Sequence, residues 1–157
     1  MSNFTAAELK AAMKAGRVDA VQARYNIFQR EVEAEILPLC RENEISFIPW
    51  GPLAYGLLGG RYTRDFRLAP GDWRTRVGLF EPGVYERNLE VVEGIKAVAA
   101  AKGVAPSVLV IRWMLCRPAV ASVIAGAKNE DQVKQNTLAQ FLQLAPEEVS
   151  TIEAFTN

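Results

Sequence analysis

Short apolar segments alternate with longer segments of helical periodicity along this chain, and this alternation constrains the fold more than any other feature. The apolar runs, which predict strands, lie at residues 18–23, 45–49 and 120–124. Helices are predicted at 5–16, 33–43, 88–102, 105–116, 129–141 and 147–155. Strands that alternate with helices form βαβ units with a parallel sheet. The sequence therefore predicts an α/β fold.

Local signals define some of the helix ends. Thr5 and Glu8 have the spacing of a capping box, which predicts the start of the first helix, and Gly16 predicts its end. Pro38 leaves two possibilities for the second helix. Either it lies in the first turn, where its missing N–H costs nothing, or it kinks the helix.

The length limits the architecture further. The chain has 157 residues, which suffices for one domain with its own core, whereas a complete (β/α)₈ barrel takes about 250 residues. No linker, repeat or low-complexity tract divides it, so residues 1–157 are interpreted as a single domain. A complete barrel is excluded.

Composition argues against several function classes. Lys and Arg number 18, Asp and Glu number 18, and there is no His, so no basic excess favours nucleic acid and the commonest zinc ligand is missing. No apolar run approaches the ~18 residues of a membrane span, and residues 1–4 lack the features of a signal peptide. Cys40 and Cys116 lie in apolar surroundings and are predicted to be buried thiols. We expect a cytoplasmic protein without a metal or a membrane partner.

The segment between Gly51 and Gly83 is predicted to be a long glycine-rich loop. Seven of the eleven glycines fall there, at positions 51, 56, 59, 60, 71, 78 and 83. Connections of this length within a compact domain are usually functional. The loop is therefore a candidate ligand-binding segment.

Ligands of parallel α/β folds bind beyond the carboxyl ends of the strands, and three groups of residues follow the predicted strands. They are residues 22–26, residues 50–53 and residues 126–129. In the third group a helix begins at Asn129, and its free N–H groups together with Lys128 predict an anion site. Gln132 and Asn136 lie on successive turns of that helix. An ordinary capped helix is the alternative.

The second group has two candidate ligand contacts. Trp50 can stack on a planar heterocycle, and the alternative is that it packs in the core. Arg61 can bind a phosphate through two parallel hydrogen bonds, and the alternative is an exposed, solvated arginine.

Four segments together carry a resemblance to a known family. They are SNF at 2–4, QARYN at 22–26, PWGPLAYGLLGGRY at 49–62 and VIAGAKNEDQVKQN at 123–136. In order and spacing they resemble the carboxyl-terminal half of the aldo-keto reductases. The resemblance implies a partial (half) TIM barrel of parallel βα units and a site for the cofactor NADP(H).

The resemblance also implies roles for individual residues. Ser2, Asn3 and Gln22 would hold the nicotinamide carboxamide, and Trp50 would stack on the ring. The pyrophosphate would lie against Gly51, Pro52, Leu53, Gly56 and Arg61. The adenosine and its 2′-phosphate would contact Gly126, Ala127, Lys128, Gln132, Gln135 and Asn136. Lys128 favours NADP over NAD, because a 2′-phosphate needs a cation.

The catalytic Asp, Tyr, Lys and His of that family lie in its amino-terminal half, which has no counterpart here. Four tyrosines remain, none in a matching context: Tyr25, Tyr55, Tyr62 and Tyr85. The resemblance predicts an NADPH-dependent oxidoreductase acting on a small carbonyl substrate if the chain assembles as a dimer. The alternative is a cofactor-binding or assembly half-barrel without catalysis. A third hypothesis is an unrelated βα protein that binds a phosphorylated ligand.

Three parallel strands cannot close a barrel. Their two edges and the side chains that face the barrel interior would stay exposed. Since a second copy would cover both, the sequence predicts a homodimer.

Overall fold

The computed structural model describes residues 1–156. Its helices are α1 (Ala6–Ala15), α2 (Ile36–Glu42), α3 (Val84–Ala101), α4 (Pro106–Leu115), α5 (Glu130–Thr137) and α6 (Pro146–Ala154). Its strands are β1 (Ala20–Arg24) and β2 (Ser46–Trp50), which pair in parallel. The predicted α/β alternation is therefore present, with the glycine-rich loop between β2 and α3.

The signals at the helix starts act as expected. The Glu8 N–H donates to Thr5 Oγ1 (3.3 Å), and the Thr5 N–H donates to Glu8 Oε2 (2.8 Å), so the capping box is formed. Pro38 lies in the first turn of α2. The helix therefore begins shortly before the proline and needs no kink.

The sheet extends beyond the two strands on both sides. On the outer side of β1, Gln22 donates its N–H to the Met1 carbonyl (2.8 Å), and the Asn3 N–H donates to the Gln22 carbonyl (2.7 Å). On the outer side of β2, the segment 119–124 runs parallel and makes bridges at Val120 and Ile124. Four parallel chain segments thus form an open arc in the order 1–3, β1, β2, 119–124.

The predicted third strand at 120–124 is wrong as a continuous strand. The Phe47 N–H donates to the Ala119 carbonyl (2.8 Å), but the next residue of β2 that faces this segment is Pro49, which has no N–H. The register then slips by one residue, because Val120 lies opposite Phe47 whereas Ile124 lies opposite Trp50. A missing donor therefore reduces the third strand to two isolated bridges.

The alternating burial of β1 and β2 separates two faces. Val21 and Phe47 are fully buried among the helices, together with Trp113 of α4. Gln22 and Ile48, on the other face, are half-buried and line the concave side of the arc. The core therefore lies between the sheet and its helices, and the concave face is left partly open.

Other predicted boundaries also need correction. Helix α3 begins at Val84, one turn before residue 88. The predicted helix 129–141 ends at Thr137 and is followed by a 3₁₀ turn. Val133, Leu138 and Phe141 are more than half exposed. Residues five apart differ by about 140° around a helix, so Val133 and Leu138 do not share a face.

Two further expectations concern cysteine and membranes. Both thiols are free, Cys40 buried and Cys116 half-buried, so the prediction of two buried thiols was wrong for Cys116, at the carboxyl end of α4. Within residues 1–156, no single helix is long and apolar enough to cross a membrane. Helices α3 and α4 meet the length and composition criteria only as a pair bent by 90°.

Candidate functional site

A cleft of about 620 Å³ opens where β2 and the segment 119–124 end. One wall is the glycine-rich segment after β2, another is the start of α5, and the first turn of α4 also contributes. The lining residues are Trp50, Gly51, Pro52, Leu53, Tyr55, Gly56, Gly59, Arg61, Tyr62, Arg74, Ser107, Gly126, Ala127, Lys128, Gln132, Gln135 and Asn136. Every site residue predicted from the sequence is among them except Ser2, Asn3 and Gln22.

The glycine-rich wall has an unusual backbone. Three consecutive residues, Ala54, Tyr55 and Gly56, have φ angles of 46°, 61° and 95°. Left-handed conformations cost free energy in residues with a Cβ, and such strain concentrates at ligand-binding sites. At Gly56 a Cβ atom would lie 3.1 Å from the hydroxyl oxygen of Tyr62. The wall is thus folded tightly against the residues that follow it.

Trp50 is held at the end of β2 by a contact across the arc. Its side chain is half-buried, and Nε1 donates to Asn3 Oδ1 (2.9 Å). Asn3 has a φ of 57°, which asparagine tolerates better than most residues. Ser2 pairs with Gln22 in the adjacent bridge. The three predicted residues outside the cleft therefore lie in the sheet beside Trp50, and Asn3 orients its indole.

Arg74 enters the cleft from the long loop and is fixed by an ion pair. Its guanidinium donates to both carboxylate oxygens of Asp72, with a shortest contact of 2.6 Å, and it also donates to the Tyr62 hydroxyl. These hydrogen bonds lower the pKa of Asp72 to about 2, and Lys128 adds a smaller electrostatic effect. Asp72 thus neutralises the charge of Arg74. It also lies close enough to Lys128 for a weak electrostatic attraction.

The start of α5 differs from a simple open helix terminus. Asn129 caps it by accepting the Gln132 N–H (3.0 Å), and Gln132 Oε1 accepts the Lys128 N–H (2.8 Å). The carboxylates of Glu130 and Asp131 lie in the first turn, where they satisfy the helix dipole and oppose an anion. Attraction for a negative ligand therefore comes from side-chain cations rather than from this helix terminus.

Two cations of the cleft lack a carboxylate partner. Within residues 1–156, neither Arg61 nor Lys128 has an acidic oxygen within 4.0 Å, and both are exposed. No Asp or Glu is among the lining residues. After Arg74 is matched with Asp72, the cleft keeps a net positive charge of two.

The sequence missed five lining residues: Tyr55, Gly59, Tyr62, Arg74 and Ser107. The first three lie within the motif at 49–62, so a wider interpretation of that motif would have included them. Arg74 and Ser107 lie outside every motif. The loop fold brings Arg74 to the cleft, and helix packing brings Ser107.

Comparison with known proteins identifies the fold and the family. The family model of the Aldo/keto reductase family matches residues 1–157. The chain belongs to this family. As a family member it is related to oxidoreductases that generally use NAD(P)H.

The curated relatives include a protein named as a reductase and proteins named as potassium channel subunits. The NADH-specific methylglyoxal reductase of Escherichia coli is 31% identical over 144 residues, which are 92% of this chain and 44% of the relative. A probable voltage-gated potassium channel subunit beta of Oryza sativa subsp. japonica is 36% identical over 153 residues, 89% of this chain and 46% of the relative. The chain spans about half the length of the curated relatives it matches.

Solved structures show the same fold relationship. A glycerol dehydrogenase of Gluconobacter oxydans superposes with a TM-score of 0.91 at 24% identity, over 98% of this chain and 47% of that one. An aldo-keto reductase of Bacillus halodurans, in its holo form, gives 0.77 at 24% identity over 99% and 49%. This reductase-family chain therefore has an α/β fold that matches about half of a TIM barrel, which confirms the half-barrel prediction.

Proposed function

We propose that the cleft binds NADP(H) and that the chain is the cofactor-holding half of a carbonyl oxidoreductase. When bound there, the nicotinamide ring supplies or accepts a hydride. The chain's own residues bind and orient the dinucleotide, with Trp50 at the ring and Arg61 and Lys128 at the phosphates. A small carbonyl compound is the proposed substrate class.

The observation that carries this proposal is the charge of the cleft combined with its shape. A cavity of about 620 Å³ suits a nucleotide-sized ligand, and its lining contains Arg61, Arg74 and Lys128 but no carboxylate. Unmatched cations beside a half-buried aromatic ring suit a ligand that has both phosphates and a planar heterocycle. The residues present therefore fit the cofactor.

Lys128 supports NADP(H) over NAD(H). It follows directly on the loop after the 119–124 segment, and its charge is not matched by a carboxylate within 4.0 Å among residues 1–156. A 2′-phosphate gains a charge-assisted hydrogen bond that a 2′-hydroxyl cannot match. The name of the Escherichia coli relative indicates the opposite preference in that protein, so cofactor choice needs a direct measurement.

The second candidate function is a cofactor-binding or assembly module without catalysis, and two of the four tyrosines, neither of which lines the cleft, favour it. Burial, followed by the hydrogen bond to Glu33, raises the pKa of Tyr25, and burial also raises the pKa of Tyr85. The Tyr85 hydroxyl donates to the Thr63 carbonyl (2.9 Å). A tyrosine that gives a proton to a carbonyl oxygen needs the opposite shift.

NADPH titration separates these functions. We expect saturable quenching of tryptophan fluorescence in the wild-type protein and a much smaller change in Trp50→Phe, which keeps Trp73 and Trp113. Simple aldehydes added to the complex then report turnover as a loss of cofactor absorbance. Quenching with turnover supports the oxidoreductase, and quenching alone supports the binding module. If NADPH and NADH both fail to quench, the cofactor proposal is wrong.

We also propose that two copies of the chain assemble. The arc has two outer edges, at 1–3 and 119–124, and its concave face is only partly covered. Ile124 is 45% exposed at one of these edges. A homodimer would cover apolar surface and unpaired backbone groups together. Light scattering at micromolar concentration should give twice the chain mass, and a monomeric mass would contradict the assembly.

We propose a cytoplasmic location for the protein. Both of its cysteines are free thiols, and disulfides are rare in a reducing compartment.

A further inference from the structure

The first turn of α4 contains a buried hydroxyl that has no partner. Ser107 is 7% exposed, and its Oγ atom makes no hydrogen bond within residues 1–156. Buried polar groups without a partner are rare and costly. Ser107 lines the cleft, but its Oγ atom is enclosed, so the hydroxyl meets a ligand atom there after a rotation about χ1 to another staggered rotamer.

The surroundings of Ser107 do not explain the hydroxyl as a helix cap. Pro106 begins α4 and has no N–H, and the Val108 and Leu109 N–H groups both donate to the Ala105 carbonyl (3.0 and 3.2 Å). The backbone donors that a serine would cap at this turn are therefore already satisfied. The side chain contributes nothing to that network.

Packing places Ser107 on the floor of the cleft between two walls. Helix α4 contacts the segment Ala54–Gly59 on one side and α5 on the other. A Cβ on Gly60 would lie 3.1 Å from Pro106 Cγ, so the glycine-rich wall reaches the start of α4 closely. On α5, Gln135 and Asn136 face the same cavity. A ligand that fills the space between these walls covers Ser107.

We infer that Ser107 is a binding residue for the adenosine half of the dinucleotide, and that its hydroxyl destabilises the free protein in exchange for ligand affinity. The inference rests on the proposed cofactor function, because it assigns one more contact in the same cleft. A hydroxyl both donates and accepts, so it can bond to a ring nitrogen, an amino group or a ribose oxygen. Binding then satisfies an atom that lacks a partner.

The test compares Ser107→Ala with wild type in the purified full chain. Removing the hydroxyl should weaken NADPH binding about five- to tenfold, as expected for one neutral hydrogen bond. Without ligand, the same variant should melt about 2–4 °C higher, because an unsatisfied buried group is gone. Ser150→Ala is the matched control, since its exposed hydroxyl on α6 donates to the Pro146 carbonyl (3.0 Å) and lies outside the cleft lining.

Fragments of the dinucleotide locate the contact. Adenosine 2′,5′-bisphosphate should lose affinity for Ser107→Ala by the same factor as NADPH, whereas reduced nicotinamide mononucleotide should not. Unchanged NADPH affinity in the variant overturns the inference, and so does a lower melting temperature, which would make the hydroxyl structural. If the wild-type protein binds neither NADPH nor NADH, the proposed function itself fails, which is a distinguishable result.

Discussion

Two clefts in this molecule are lined by three cationic side chains each, and they differ in how those charges are matched. The smaller cleft, of about 380 Å³, has Arg30, Arg41 and Arg117 together with Glu33, Glu42 and Glu153. The larger cleft, of about 620 Å³, has Arg61, Arg74 and Lys128 with no carboxylate in its lining. Two of the three arginines in the smaller cleft pair with glutamates and tie the fold together, whereas two of the three cations in the larger cleft, Arg61 and Lys128, have no carboxylate partner within residues 1–156.

The smaller cleft shows how matched charges build structure. Arg117 donates from Nε to the Tyr25 hydroxyl (3.0 Å), pairs with Glu153 of α6 and stacks over Trp113 with 4.6 Å to the ring centroid. The Tyr25 hydroxyl in turn donates to Glu33 (2.5 Å). This Arg117 cluster joins the end of β1, the end of α4 and the last helix. Its charged groups and the Tyr25 hydroxyl are satisfied by the protein itself, whereas Trp113 Nε1 has no hydrogen-bond partner within residues 1–156.

The largest effect is expected from Arg117→Met, which keeps the aliphatic stem and removes the charge. Glu153 would then lose its partner in a site that is only about one-quarter exposed, so the free energy of unfolding should fall by about 2–3 kcal/mol. Urea denaturation measures this. Arg41→Met is the control, because Arg41 lines the same cleft, is exposed, and has no ion-pair partner within residues 1–156. Equal stability losses in both variants would contradict the conclusion that the paired Arg117 stabilises the fold more than the unpaired Arg41.

Lys128→Ala should have the opposite profile, with little change in stability and weaker cofactor binding. Loss of the charge-assisted contact should weaken the binding of NADPH by roughly 1–2 kcal/mol. The binding of NADH should weaken much less. Fluorescence titration of both cofactors measures the difference. Lys134→Ala is the matched control on α5, where Lys134 pairs with Glu130 at 2.6 Å outside the cleft lining. Equal effects on the two cofactors would exclude a 2′-phosphate contact at Lys128.

The smallest effect is a pH dependence of stability that comes from Glu33 of the Arg117 cluster. Burial by itself would raise the pKa of Glu33, but hydrogen bonds from Arg30 and Tyr25 outweigh it, so the pKa lies below the ordinary 4.5. A lowered carboxyl pKa stabilises the fold above pH 4.5, and this contribution disappears as the pH falls through the lowered value. Glu33→Gln should therefore lose less stability than wild type between pH 5 and pH 3. Parallel pH curves for the two proteins would contradict this.

Sequence reasoning predicted most of the cleft because its residues lie close together in the chain. Residues 50–61 and 126–136 are continuous motifs, and local turn chemistry places their side chains near the ends of the strands. The third strand was predicted from hydrophobicity alone, and Pro49 on its neighbour interrupted it. A donor missing from one strand is visible only when the pairing of two strands is known.

Arg117 and Ser107 had no signal of their own in the sequence. Arg117 and Tyr25 are 92 positions apart, and no periodicity relates them. Ser107 looks like any serine in the first turn of a helix until the packing of α4 encloses it. Such contacts depend on which helices and strands pack against each other, and this packing is decided only in the assembled core.

The sequence by itself determined the α/β alternation, the capped helix starts, the family and most residues that line the larger cleft, because each of these depends on neighbours along the chain. Only the tertiary structure decided the register slip at Pro49, the hydrogen bond from Trp50 to Asn3, the matched charges of the Arg117 cluster and the orphaned hydroxyl of Ser107. Each of these depends on groups that are distant in sequence and become neighbours only when the core excludes water. Burial then decides whether a polar group has a partner or needs a ligand.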